Sequence, residues 1–335
     1  MQRRNFITLL GGATLLKLAG PLPLNAQQSA RSVIGFLSST SKDGAAPYIV
    51  GLGRGLAEVG YAEGRNLEIE FRWADDQIDR LPGLAADLVQ RKVSVIVASA
   101  IRASLAAKAA TSTIPVVFAT ANDPVQFGLV ASLNRPGGNL TGVSYLSAEL
   151  GEKRMQLLHE LAPAASAIAV MVNPTNANAE RNVRNVETAA HGIGLRTYLL
   201  TASTEKDYES AFARSAGPPA DALLVLNDPL FFDQRSQIIA LAARYAVPVM
   251  YATRDYPEAG GLISYGANLT DAYRQVGVYV GRILKGEKPA DMPIIQPTKF
   301  ELVINLKTAT ALGLVVPASF AALHESGTKR TCRAL

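Results

Sequence analysis

Short runs of β-branched and aromatic residues alternate along this chain with Ala/Leu-rich stretches of helical period. Val33–Leu37, Leu67–Phe71, Val93–Val97 and Val116–Phe118 read as strands, and Tyr48–Val59, Leu81–Arg91 and Arg102–Ala110 as the helices between them. Most of these strands are apolar at nearly every position, so both of their faces must be covered. Such strands in alternation with helices predict a parallel sheet flanked by helices on both sides.

The series then begins again. Ser32-Val33-Ile34-Gly35-Phe36-Leu37 is echoed in the second half by Ser166-Ala167-Ile168-Ala169-Val170-Met171. Ile114-Pro115-Val116-Val117-Phe118-Ala119-Thr120 is echoed, at almost the same offset, by Val247-Pro248-Val249-Met250-Tyr251-Ala252-Thr253. Between the echoes lie Ser94–Ala98 in the first half and Ala222–Leu226 in the second. A period that spans most of half the chain is no solenoid repeat; it predicts two α/β lobes of one plan. Two similar open sheets facing each other bring the carboxyl ends of their strands to one crevice, where such sheets bind ligands.

The residues placed at that crevice are polar. Ser38, Ser39, Thr40 and Ser41 follow the first strand, Ser99, Ala100, Ile101 and Arg102 the third, and Thr120, Ala121, Asn122 and Asp123 the fourth. In the second half the matching ends carry Asn173 and Thr175, then Asn227 and Asp228, then Thr253, Arg254 and Asp255. Hydroxyls, amides and helix N-termini suit a carboxylate, and an aspartate suits an ammonium, so the set can hold a small zwitterion. The same residue types also cap helices, and Asp-Pro is a common helix start, so Asp123 and Asp228 can be caps, ligand groups or both. Tyr145, Tyr251 and Tyr265 lie near strand ends or crossovers, where each can stack on an apolar ligand or simply pack. The candidate binding residues are therefore Ser38, Ser39, Ser99, Ala100, Thr120, Asp123, Tyr145, Asn173, Asn227, Asp228, Tyr251 and Tyr265.

Composition narrows the class. With 48% hydrophobic and 18% charged residues among 335, the chain can bury substantial cores and is not disordered. A single cysteine, Cys332, excludes a disulfide framework, and three scattered histidines argue against a histidine metal site. The formal charge of +5 invites an acidic partner, but most of it comes from the N-terminus. Arg3-Arg4-Asn5-Phe6-Ile7 leads an apolar run to Leu24, diluted by glycines and Lys17 and ending at Asn25-Ala26. That is the layout of a secretory signal, residues 1–26, of twin-arginine type and cleaved after Ala26. Its removal takes away Arg3, Arg4 and Lys17 and no acid, leaving 30 basic against 28 acidic residues. The expected mature protein is periplasmic, nearly neutral, without a membrane-inserted segment and without nucleic acid as partner.

Catalytic signatures are missing. Gly51-Leu52-Gly53-Arg54-Gly55 has the wrong spacing for a dinucleotide fingerprint and lies within a helix rather than opening one. Gly142-Val143-Ser144-Tyr145-Leu146 lacks the second glycine of a nucleophile elbow, and His159-Glu160 is followed by no second histidine. No catalytic residue, cofactor or metal is expected.

Several multi-residue phrases resemble a known family. Gly60-Tyr61-Ala62-Glu63-Gly64-Arg65-Asn66-Leu67, Asn122–Val130, Arg135–Ser144, Gly260–Gly266, Ile283–Asp291 and Val303–Ala309 resemble, in order, the ABC-transporter substrate-binding proteins related to tryptophan/tyrosine-binding proteins. The resemblance implies a type I periplasmic-binding fold, two doubly wound lobes joined by three hinge crossings near Val143–Leu146, Tyr265–Leu269 and Gln296–Glu301. The first lobe would then comprise 32–143 and 268–296, and the second 144–267 and 297–325, followed by a polar tail, 326–335. It also implies a monomeric, non-enzymatic receptor that traps a small solute by hinge closure and delivers it to an inner-membrane ABC permease. A sensing domain feeding a regulatory partner and a periplasmic α/β enzyme are the alternatives. Where relatives carry a Gly-Thr-Pro-like turn, this chain has Ala100-Ile101-Arg102, which removes a hydroxyl and adds a cation. The expected solute is amino-acid-like or a small organic acid.

Overall fold

The computed structural model describes residues 31–145, 150–176, 178–215, 220–297, 300–322 and 330–334. The signal read over residues 1–26 lies outside them. The first sheet contains β1 (Ser32–Ser38), β2 (Leu67–Trp73), β3 (Val95–Ser99), β4 (Val116–Thr120) and β5 (Leu140–Ser144), in the order β2-β1-β3-β4-β5 and all parallel. The second contains β6 (Ala167–Val172), β7 (Arg196–Thr201), β8 (Ala222–Val225), β9 (Val249–Tyr251) and β10 (Ile263–Ala267), in the order β7-β6-β8-β9-β10. Strand for strand, the second order repeats the first. The internal echo thus marks two sheets of one topology, each with its switch point between the first and third strands of its series, where a binding crevice opens.

Alternation along the buried strands explains the double winding. Ile34, Phe36, Val95, Val97, Val117 and Ala119 face one way, toward α1 (Ala46–Glu58) and α10 (Leu269–Leu284). Leu37, Ile96, Ala98, Val116 and Phe118 face the other way, toward α2 (Leu81–Gln90) and α3 (Ile101–Ala110). In the second lobe Ile168, Val170, Leu224 and Met250 pack with α4 (Gly151–Leu161) and α5 (Ala179–Gly192). The opposite face carries Met171, Leu223 and Val225, packed with α6 (Glu205–Ser215) and α8 (Arg235–Arg244).

The chain crosses between lobes in a way that sequence pattern alone does not reveal. After β10 it enters α10, which packs along α1 of the first lobe. The two helices approach through glycine. A Cβ on Gly55 would lie 1.8 Å from the Arg274 carbonyl oxygen, and one on Gly51 would lie 2.4 Å from that of Thr270. From the other side, a Cβ on Gly277 would lie 2.3 Å from the Leu52 carbonyl. Gly51-Leu52-Gly53-Arg54-Gly55, unfit for a nucleotide, is thus half of a helix-packing surface. After α10 the chain runs beside β5, where Ile295 pairs with Val143, its N–H donating to the Gly142 carbonyl at 2.9 Å, and Thr141 Oγ1 donates to the Met292 carbonyl at 2.7 Å.

The return to the second sheet departs from an all-parallel expectation. β11 (Phe300–Ile304) pairs antiparallel with β10, in the register Tyr265 opposite Leu302. The segment expected to be a polar tail contributes a further strand: β12 (Arg330–Ala334) pairs parallel with β11, whose outer edge would otherwise leave backbone groups open. No helix among the described residues is long and apolar enough to cross a membrane.

Candidate functional site

The strand ends of both sheets and the helices that follow them enclose a cavity of about 190 Å3. From the first lobe come Ser39 and Thr40 after β1, Asp76 after β2, Ser99–Arg102 after β3 and Asn122 after β4. From the second come Asn173 and Asn176 after β6, Ser203 after β7, and Asn227, Asp228 and Leu230 after β8. Tyr145 stands at the crossing that leaves β5, and Tyr48, Phe232 and Tyr273 form the aromatic wall.

Asp228 organises the second-lobe rim. As N-cap of α7 (Pro229–Asp233), its Oδ1 accepts from the Leu230 N–H at 2.9 Å. The same oxygen accepts from Asn173 Nδ2 at 3.2 Å, and Oδ2 accepts from Asn176 Nδ2 at 2.6 Å. Burial raises the pKa of this carboxyl, against the lowering effect of its hydrogen bonds. Asp228 is therefore both cap and cavity wall, with no cation within ion-pair distance among the described residues.

Three other wall groups are buried and unpartnered. Ser39 Oγ, Asn122 Nδ2 and Asn182 Oδ1 have no hydrogen-bond partner, although their residues are only 1%, 6% and 8% exposed. A polar atom left unpaired in a protein interior is destabilising by about 1–3 kcal/mol, so these three stand out among the groups that line the cavity. Two are first-lobe groups that can donate; the third is a second-lobe acceptor.

The third-strand turn is strained. Ala100 has φ 76° and ψ 163°, a region that is essentially glycine's own, and it forms the N-cap of α3. It is held there by its N–H to the Ala119 carbonyl and by its carbonyl, which accepts from the Ser104 N–H and Oγ. Ala100→Gly is expected to stabilise the protein by about 1 kcal/mol, the relieved strain less the added freedom of the unfolded chain. Equilibrium denaturation checks this; a less stable variant would refute the strain. Arg102, farther along the same turn, is an exposed cation on the rim that makes no ion pair with a described residue.

The aromatic wall is a continuous stack. Tyr48 lies face to face with Tyr273 at 4.5 Å and with Phe232 at 5.5 Å. Tyr273 is fixed by a 2.5 Å hydrogen bond between its hydroxyl and Ser99 Oγ. Tyr48 and Tyr273 come from the two helices of the glycine contact, so that contact also sets the wall.

Of the residues singled out by sequence, Ser39, Ser99, Ala100, Tyr145, Asn173, Asn227 and Asp228 meet at the cavity. Five do not line it. Ser38 Oγ braces its own turn, 3.0 Å from Thr40 Oγ1, and Thr120 Oγ1 is bonded to Asn122 Oδ1 at 3.1 Å. Asp123 Oδ1 accepts from the Val125 and Gln126 N–H groups, the capping alternative. Tyr251, the last residue of β9, is fully buried and stacked on Tyr256 at 4.3 Å, and Tyr265, in the middle of β10, packs beside Phe300. Sequence reasoning missed Tyr48, Phe232 and Tyr273, aromatic residues within helices, and Asp76, in a segment without hydrophobic period. Asn176, Asn178 and Asn182 were legible only as an unusual density of asparagine after β6.

The sequence profile of the family described as ABC transporter substrate binding protein matches residues 32–326. The chain belongs to this family. Among relatives of this substrate-binding protein, a tyrosine-binding protein of Clostridioides difficile (strain R20291) is 28% identical over 262 residues, which cover 78% of this chain and 75% of the relative. Two solved structures superpose along most of the chain. One, an ABC domain in complex with L-Trp from Streptococcus pneumoniae, gives a TM-score of 0.77 at 26% identity and covers 90% of this chain and all of the other. The second, a conserved domain protein from Vibrio cholerae O1 biovar eltor, gives 0.79 at 29% identity, covering 91% of this chain and all of the other. The family and these relatives make the chain a solute-binding protein of the type I fold, not an enzyme.

Proposed function

We propose that this protein is the periplasmic receptor of an ABC importer, exported by its N-terminal signal, that traps an amino-acid-like solute between its lobes and presents it to a membrane permease. The observation that carries this reading is the cavity wall: buried, unpartnered Ser39 Oγ, Asn122 Nδ2 and Asn182 Oδ1 together with the Asp228 carboxylate. First-lobe donors suit a carboxylate and the second-lobe carboxylate suits an ammonium, so a zwitterion bridges the rims. The Phe232–Tyr48–Tyr273 stack offers a flat apolar surface for a side chain, in keeping with the tyrosine and tryptophan named for relatives. A ligand touching both lobes binds the closed form better than the open one, and that difference drives closure.

The test is a thermal-shift screen of the purified protein against the free amino acids and small organic acids. A true ligand at about 100 times its Kd should stabilise the fold by about 2.7 kcal/mol, a clear rise in melting temperature. If no amino acid or organic acid moves the transition, the reading is wrong.

A further inference from the structure

One residue of the cavity rim breaks a local electrostatic rule. Arg102 is the second residue of α3, where unpaired N–H groups already make the helix end positive. An acid is the favourable occupant of such a turn, as Glu180 is in α5 and Asp271 in α10, but the first turn of α3 has none. Ala100, the N-cap, brings no side-chain acceptor, so the N–H groups of Ile101, Arg102 and Ala103 have no intrahelical partner. Arg102 is exposed and makes no ion pair with a described residue. A cation there works against the helix, and such local conflicts gather where a site needs them.

The positions beside this turn are donors as well. Because β3 lies between β1 and β4, the loops after those two strands flank the α3 N-terminus. They bring Ser39 Oγ and Asn122 Nδ2 to the cavity wall, each buried and unpartnered. Asp123, in the same loop as Asn122, is occupied by the Val125 and Gln126 N–H groups. The cavity carboxyls gather at another end. Asp228 opens α7, which meets the first lobe where Asp233 Oδ1 accepts from Ser41 Oγ at 2.7 Å, and Asp76 follows the edge strand β2. On the other side Arg181, in the first turn of α5, donates to Gln126 Oε1 in the loop after β4. The cavity thus has an acidic end, bounded by α7 and the loop after β2, and a donor end, bounded by α3 and the loop after β4.

The donors there exceed what one carboxylate accepts. Its two oxygens offer about four lone-pair sites, against the N–H groups of Ile101, Arg102 and Ala103, the Ser39 hydroxyl, the Asn122 amide and the forked Arg102 guanidinium. We propose that the solute is an acidic amino-acid-like molecule, with a second anionic group on its aliphatic or aromatic side chain, and that Arg102 selects for it. This rests on the receptor reading above and narrows its solute class. One carboxylate takes the α3 N–H groups with Ser39 and Asn122, the second pairs with the guanidinium through two parallel hydrogen bonds, and the ammonium goes to Asp228. The bound anion relieves the conflict at the helix end, which a neutral side chain leaves in place.

Isosteric pairs that differ only in charge test this: glutamate against glutamine, aspartate against asparagine, and 4-carboxyphenylalanine against 4-carbamoylphenylalanine, each titrated calorimetrically into the purified protein. In at least one pair the acid should bind more tightly than its amide by about tenfold or more, the scale of one charge-assisted hydrogen bond. Arg102→Gln should bring that ratio toward one by weakening the acid and sparing the amide, and Arg102→Lys, which keeps the charge, should hold part of it. Solute-free Arg102→Gln should melt no lower than the parent, because an exposed cation leaves a positive helix end, so the fold does not account for lost affinity. Amides that bind as well as their acids, an acid preference that survives Arg102→Gln, or binding of neutral amino acids alone overturns the proposal and leaves the receptor reading standing. Binding of no amino acid or organic acid at all fells the receptor reading with it.

Discussion

Replacing Asp228 with asparagine is expected to weaken binding of an ammonium-bearing solute by about 100-fold or more, the scale seen when one partner is taken out of a buried charge pair. The fold itself should not suffer. Asparagine is as good an N-cap as aspartate, and its amide oxygen can keep the acceptor role toward the Leu230 N–H. The ionised carboxylate is moreover disfavoured by its burial before a solute arrives, which is the direction of its raised pKa. Relief of the buried charge works against loss of the Asn176 Nδ2 bond to Oδ2, so the melting temperature of the solute-free variant should stay close to that of the parent. Isothermal titration with the best solute of the screen, run beside a melting curve, separates the two effects. Unchanged affinity would remove Asp228 from the ligand contacts, and a matched fall in affinity and stability would leave it only its capping role.

The largest effect on stability should come from a position remote from any charge. Gly55→Ala places a methyl group 1.8 Å from the Arg274 carbonyl oxygen, a backbone atom that can yield only if the helix moves. Overpacking of this kind costs about 1–3 kcal/mol or more, and here the displaced helix also carries Tyr273 and Leu269 to the cavity. The variant should lose stability and solute affinity together, whereas Gly53→Ala, where a Cβ meets nothing within 4 Å, should lose neither. Denaturant titration of the pair decides it. Equal stabilities would mean that the α1–α10 contact is looser than the glycine geometry requires.

Much of the architecture was legible because it depends on local periodicity. Apolar strands such as Val95–Ser99 and Val116–Thr120 announce burial on both faces, and the echoes of Ser32–Leu37 and Ile114–Thr120 announce a second sheet of the same order. Strand ends are equally readable, hence Ser39, Ser99, Asn173 and Asp228. What escaped depends on contacts far apart in sequence. Nothing local distinguishes Tyr48 and Phe232 from core aromatics, since their exposure to the cavity arises only when the lobes meet. Asp76 gains its place on the cavity wall only through the fold of the loop after β2. The antiparallel return of β11 and the pairing of β12 fill an edge left by a crossing, which no hydrophobic pattern encodes. Conversely, Tyr251 and Tyr265 carried the right chemistry but sit on sheet faces, where the pleat turns them into the core.

The late arrival of α10 has a consequence for how the molecule is made. Its partner α1 is finished by Glu58, yet the helix that covers the glycine face of α1 does not begin until Leu269. A chain growing from its N-terminus therefore completes every strand of the first sheet by Ser144 with one flank covered by α1 alone, and must build most of the second lobe before that flank closes. A contact between segments so distant in sequence carries a large loop-closure entropy and belongs to the slow end of folding. The two lobes, alike in plan, are unequal in timing: the first can be nucleated early but is finished only after the second is nearly in place.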